Sequence, residues 1–211
     1  MRKKPPLFRN FILEAGPHKP TADQHGHSQR DLFLFAQAFH KAAKALAAAF
    51  QADGNVFAPF DASAVVFMYR HALELHLKTI VLGEGGNFLE TKPDSISVSK
   101  THSASWLAQF VCQIITALKW EREFRCEGVE SPGDFKAVVD EVNSVDPGLY
   151  TFRLPVDPQL QSNFQEFTKK MDALIGLLAS TGDALAAEWD LRTEPDTGPE
   201  PDGGGFAPTI Q

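Results

Sequence analysis

Tyr69-Arg70-His71-Ala72-Leu73-Glu74-Leu75-His76-Leu77-Lys78 sets five side chains that are charged or titrate near neutral pH, Arg70, His71, Glu74, His76 and Lys78, into an otherwise apolar run. Ala64-Val65-Val66-Phe67-Met68 precedes it and Thr79-Ile80-Val81-Leu82 follows. A helix with so much apolar flank is buried on most sides. Charges inside such a helix are costly unless they pair, so these have a structural or a chemical reason to be there. Residues three or four apart share a helix face, which makes Arg70, Glu74 and Lys78 one ladder of alternating charge. Phe67 begins that stripe and Val81 extends it. His71 lies beside Leu75 and Lys78 on an adjacent face. His76 lies about 120° around the axis from Arg70. The two do not converge within one helix, so a site that uses both needs another helix or a second subunit.

Helix signals continue on either side. Ser28 is a candidate N-cap with Asp31 at N3, opening an Ala-rich helix from Leu32 to Phe50 that Asp53-Gly54-Asn55 ends. Asp61 is the candidate cap of the helix Ala62 to Leu82, which Gly83-Glu84-Gly85-Gly86 stops. Residues 87–100 read as a polar loop. A third helix runs from Ser103 or Ser105 to about Trp120, with Leu107, Phe110, Val111, Ile114 and Leu118 at core spacing. Ser131-Pro132-Gly133-Asp134 combines a Ser cap, Pro at N1 and an acid at N3, and opens a short helix to Val142. Asp146-Pro147-Gly148 is a turn, and Tyr150 to Val156 an extended connector. Asp157-Pro158 opens a last helix to about Trp189, in which Gly176 and Gly182 mark a bend or close helix contacts. The expected fold is all-α: an antiparallel bundle of four to five helices over residues 28–191. An extended arm, residues 1–27, precedes it, and a disordered acidic Pro/Gly-rich tail, residues 192–211, follows.

Composition narrows the function classes. With 211 residues, 43% apolar and 22% charged, the chain has the balance of an ordinary globular domain. Phe occurs 17 times and Tyr twice, which favours a dry aromatic interior. Of the net charge of −7, the segment Glu188–Asp202 holds −5, six acids against Arg192. The body is therefore not basic enough to predict nucleic-acid binding by charge alone, although the acidic tail is a candidate for a basic protein partner. Cys112 and Cys126 form no CxxC, and Cys112 reads as a packing residue, so neither a disulfide framework nor a zinc site is expected. His18, His25 and His27 have ligand-like spacing but read as a solvated arm, and His40 reads as a helix-boundary residue. No cofactor and no metal is expected. With no apolar run long enough to span a bilayer and no signal-like start, the expectation is a cytoplasmic protein without a membrane.

The charged helix keeps two readings open. In one, Arg70–Glu74–Lys78 is a structural ion-pair ladder that orients the helix. In the other, Arg70 holds a phosphate or carboxylate, and His71 or His76 exchanges protons near neutral pH. His102 opens the next helix and can return to the ladder in an antiparallel pair, or simply cap that helix. Arg153, between Phe152 and Leu154, can reach Glu74 from outside.

Phe67-Met68-Tyr69-Arg70-His71-Ala72-Leu73-Glu74-Leu75-His76-Leu77-Lys78 resembles the signature helix of bacterial HEPN-type helical-bundle proteins. Lys100-Thr101-His102-Ser103-Ala104-Ser105-Trp106-Leu107 resembles the His-led start of that family's next helix. Asp146-Pro147 with Phe152-Arg153-Leu154-Pro155 resembles a later element, with Leu154 where Tyr is usual. The resemblance covers roughly residues 30–180 through short motifs. The family includes metal-independent ribonucleases defined by an Arg, a polar residue and a following His, a pattern that Arg70-His71 and His76 satisfy. For those members the resemblance implies cleavage at a homodimer interface. His76 would act as acid and base toward the 2′-hydroxyl, and Arg70 would stabilise the phosphorane-like state. The catalytic motif of the family usually sits on a later helix. The expectation is therefore a non-catalytic module that binds a nucleotide, RNA or a partner protein in bacterial defence or regulation. A homodimeric endoribonuclease of toxin or antiphage type is the alternative.

Overall fold

A computed structural model describes residues 29–52, 59–145 and 164–193. Ser28, the Asp53-Gly54-Asn55 and Asp146-Pro147-Gly148 turns, the Tyr150–Val156 connector with Arg153, the Asp157-Pro158 start, the arm and residues 194–211 of the tail lie outside the described residues, while Arg192 and Thr193, expected in the tail, are helical. The described chain is an all-helical bundle. Its helices are α1 (Gln29–Ala52), α2 (Pro59–Leu82), α3 (Ser95–Lys100), α4 (Ala104–Leu118), α5 (Pro132–Val145) and α6 (Phe164–Thr193), with a 3-10 helix at Glu84–Phe88. No strand forms among the described residues; Cys126 and Val129 make an isolated antiparallel bridge.

Helix α2 is the centre of the bundle and packs on α1, α6, α4, α3 and the 3-10 helix. From Ala72 to Val81 every residue is buried. Ala36, Ala43 and Ala47 form the buried stripe of α1, and their small side chains let that helix lie close to α2. Leu107, Val111 and Ile114 of α4 and Met171, Leu174 and Leu178 of α6 close the core, with Phe135 of α5 behind α4. Each fully buried side chain of this size contributes about 1.5–3 kcal/mol relative to exposure.

Local signals explain most helix ends. Ser103 Oγ accepts from Trp106 N at 3.2 Å and fixes the start of α4. At the other end of α4, Lys119 adopts the left-handed conformation (φ 60°) and its N–H meets the carbonyls of Ile115 and Thr116. At α5, Ser131 Oγ accepts from Asp134 N at 3.1 Å, and Asp134 Oδ2 accepts from the Ser131 hydroxyl at 2.8 Å and from Glu130 N at 3.3 Å, a variant of the capping box that closes one residue ahead of the cap.

Three expectations need correction. Residues 95–100 are helical, not loop: Asp94 caps them through its Oδ1 and Ser97 N, 2.9 Å apart, and Val98 is buried. Asp61 does not cap α2, because the helix already begins at Pro59. Gly176 and Gly182 mark no close contact, since a Cβ added at either would meet nothing within 4 Å, and α6 runs through both.

Gly85 and Gly86 do mark close approaches. A Cβ at Gly85 would lie 2.6 Å from the Ile80 carbonyl oxygen, and one at Gly86 would collide with the Val81 carbonyl oxygen. Backbone cannot yield as a side chain tip can, so Gly85→Ala is expected to lower stability by about 1–3 kcal/mol, read by urea unfolding. No helix among the described residues is long and apolar enough to cross a membrane.

Candidate functional site

The ladder lies on the side of α2 that faces α3, α4 and α5. Glu74 is its hub. Lys78 Nζ stands 2.8 Å from Glu74 Oε1, Arg70 NH1 stands 3.5 Å from Oε2, and His102 Nδ1 stands 3.2 Å from Oε1. The carboxylate and the guanidinium are each 1% exposed. A single carboxylate therefore faces two buried cations, and oxygen atoms of the chain complete the balance. Arg70 NH2 donates to the His102 carbonyl at 2.8 Å and to Asn143 Oδ1 at 3.3 Å, while Lys78 Nζ donates to the Ser99 carbonyl at 2.9 Å. Asn143 Oδ1 also accepts from Ala104 N at 3.1 Å, an otherwise open donor of the first turn of α4.

The ladder thus ties α2 to the 99–104 segment and to α5. It also places His102 at the surface, with its side chain 55% exposed above the buried carboxylate. That imidazole is the part of the network open to a ligand. Beneath it lie the buried guanidinium of Arg70 and the N-terminus of α4, both of which favour an anion.

His71 and His76 point elsewhere. The His71 ring stacks on Phe67 and meets Phe39 edge-on, and its Nδ1 is buried without a hydrogen-bond partner. Burial lowers its pKa, against the opposing pull of Glu74. His76 is 2% exposed, faces α1 and α6, and meets the Phe33 ring edge-on. Burial first, and the neighbouring His40 second, lower its pKa to about 4. The protomer does not bring Arg70 and His76 together, as their spacing on α2 requires.

A second polar cluster occupies the other side of α2. Asp172 Oδ1 of α6 accepts from Tyr69 Oη at 3.0 Å and meets His40 Nε2 of α1 at 2.7 Å, while Lys44 Nζ stands 3.5 Å from Oδ2. Burial and the Asp172 carboxylate push the Tyr69 phenol above its ordinary pKa. Neither Asp172 nor Asn143 stands out in the sequence. Two signals point to the first: Tyr69 is one of two tyrosines in a Phe-rich chain, and a buried phenol needs a partner. Asp172 also sits one residue after Met171 and three before Ile175, on the apolar stripe of its helix.

No family model, curated protein or solved structure matches the chain. Among the described residues no group of three or more His, Cys, Asp or Glu side chains could hold a metal ion. Cys112 donates to the Pro132 carbonyl at 3.3 Å, and burial raises its thiol pKa to about 11, so the thiol stays protonated at neutral pH.

Proposed function

We propose that the chain is a HEPN-like helical module that acts by binding a nucleotide or RNA, not by cutting it. The observation that carries this reading is where Arg70 is spent. Its guanidinium is 1% exposed and bonded to the His102 carbonyl, Asn143 and Glu74. Reaching a scissile phosphate would break all three contacts and leave Glu74 short of a partner. His76, the second residue that RNA cleavage would require, is buried on a different side of α2. His102 is accessible, sits at the N-terminus of α4 and lies over the buried Arg70–Glu74–Lys78 network. That combination suits a phosphate oxygen.

The test uses purified full-length chain in chelator, with total RNA and with fluorescent short RNA and a fluorescent nucleotide. RNA is expected to stay intact, and anisotropy to report binding that His102→Ala weakens several-fold with little change in Tm. Cleavage that disappears in His76→Ala would overturn this reading in favour of the homodimeric ribonuclease. Intact RNA together with no binding of either probe would overturn it as well.

A further inference from the structure

The cleft between α1 and α6 carries a second inference, independent of the His102 reading. Gln37, His40, Lys41 and Lys44 of α1 form one wall, Ile175, Gly176 and Ala179 of α6 form the other, and His76 of α2 lines it from below. Its volume is about 410 Å³, within the range of small-molecule sites and larger than a lone water or ion needs.

Two features make this a built site and not a dent between helices. The first is His76. It is 98% removed from solvent, yet among the described residues no group hydrogen-bonds its ring; only burial and His40 act on it. A neutral imidazole has one donor and one acceptor, and neither ring nitrogen of His76 is among the sealed, unpartnered polar atoms of the described residues, so both stay within reach of a ligand in the cleft. The second is the charge pattern. Asp172 already holds Tyr69 Oη, His40 Nε2 and Lys44 Nζ, so it locks the His40 ring and compensates Lys44. Lys41 has no carboxylate partner among the described residues and borders the same cleft. The wall of α1 is therefore net positive and rich in donors, while the wall of α6 is apolar.

We propose that this cleft binds a small organic oxyanion, a carboxylate or phosphate head on a short apolar body. Lys41 holds the head and the ring of His76 donates to it from below, His40 and Lys44 stay with Asp172 at the rim, and Ile175 and Ala179 cover the body. The donors come from α1 and α2 and the apolar cover from α6, so the ligand would bridge three helices.

Gly176 supplies a clean test. An added Cβ there meets nothing within 4 Å, so a larger side chain projects into open space. Leucine is also a better helix former than glycine. Gly176→Leu should therefore keep or raise Tm while filling the cleft. The full chain, carrying carbon-labelled histidine, is titrated with inorganic phosphate and separately with hexanoate, against chloride at matched ionic strength. The expected result is a saturable shift of the His76 and His40 imidazole resonances with at least one probe. The shift should be lost in Gly176→Leu and weakened several-fold in Lys41→Gln, with the His102 resonance as the control for binding at the other site. A response to phosphate alone identifies a phosphate head, and a response to hexanoate alone identifies a carboxylate with an apolar body. No shift beyond chloride with either probe overturns the proposal. So does a shift that survives Gly176→Leu, because that ligand lies elsewhere.

Discussion

Glu74→Ala is expected to lower the unfolding free energy by about 3–5 kcal/mol, the cost of stranding buried charge. The carboxylate is 1% exposed and lies 2.8 Å from Lys78 Nζ and 3.5 Å from Arg70 NH1. Removing it takes the carboxylate from two buried cations, which keep the His102 and Ser99 carbonyls and Asn143 among their partners. His102→Ala removes the third neighbour but should cost under about 1 kcal/mol, because that side chain is 55% exposed and its contact is shared with solvent. The contrast is the informative part. A urea series in which Glu74→Ala stays within about 1 kcal/mol of the parent would remove the structural reading of the ladder. Replacing all three members by apolar residues (Arg70→Met, Glu74→Leu, Lys78→Met) takes the charges out together. That change is expected to be neutral or stabilising by up to about 4 kcal/mol.

The second large effect is acid destabilisation centred on His76. Its pKa falls from the ordinary 6.5 to about 4 in the folded chain, through burial and the adjacent His40. Its charged neighbours are His40, Lys41 and Lys44 on α1 and, paired with His40 and Lys44, Asp172 on α6; the α6 residues that line the cleft itself are apolar or glycine. Between pH 6.5 and 4 the unfolded chain binds a proton at this ring and the folded chain does not, so stability falls as pH falls. The contribution is complete above pH 6.5, declines through the window and is lost by about pH 4. At about 1.36 kcal/mol per pH unit, the loss is on the order of 3 kcal/mol. His71, also lowered by burial, adds in the same direction. Asp94, Asp140 and Glu166 have pKa values below their ordinary 3.8, 3.8 and 4.5, so their share of acid unfolding comes lower in the scale. Urea midpoints measured at closely spaced pH values should slope downward from pH 6.5 in the parent and flatten in His76→Gln. An unchanged slope in that variant would mean that the ring is already protonated or already solvated in the folded state.

How much of this could be read from the chain follows from the range of each interaction. Helices declare themselves over a few residues, so the Ala stripe of α1, the Leu107–Val111–Ile114 stripe of α4 and the Ser131–Asp134 box were visible. The all-helical reading holds because those signals are local. The short α3 leaves little trace because Ser-rich sequence is a weak helix former, and its one local signal is the Asp94 cap three residues before Ser97. The ladder itself follows from four-residue spacing. Its acceptors do not. Asn143 meets Arg70 across 73 residues and Asp172 meets His40 across 132, and pairing at such separation leaves no periodic trace in one sequence. That His76 faces away from Arg70 follows from its angle on α2. The cleft it lines does not, since that depends on how α1 and α6 close over the helix.

Helix α2 has apolar neighbours around its whole circumference, and apolar contact alone says little about which way such a helix should be turned. Its polar groups supply that instruction. Tyr69 must reach Asp172 on one side while Glu74 reaches His102, Arg70 reaches Asn143 and Lys78 reaches the Ser99 carbonyl on another, and one angle of rotation about the axis satisfies them all. The network then works less as a source of energy than as an orientation mark, which is the best-attested use of buried charge. In the apolar triple replacement, helix content would persist while α2 sampled several angles, seen as broadened amide resonances in a protein that still resists urea.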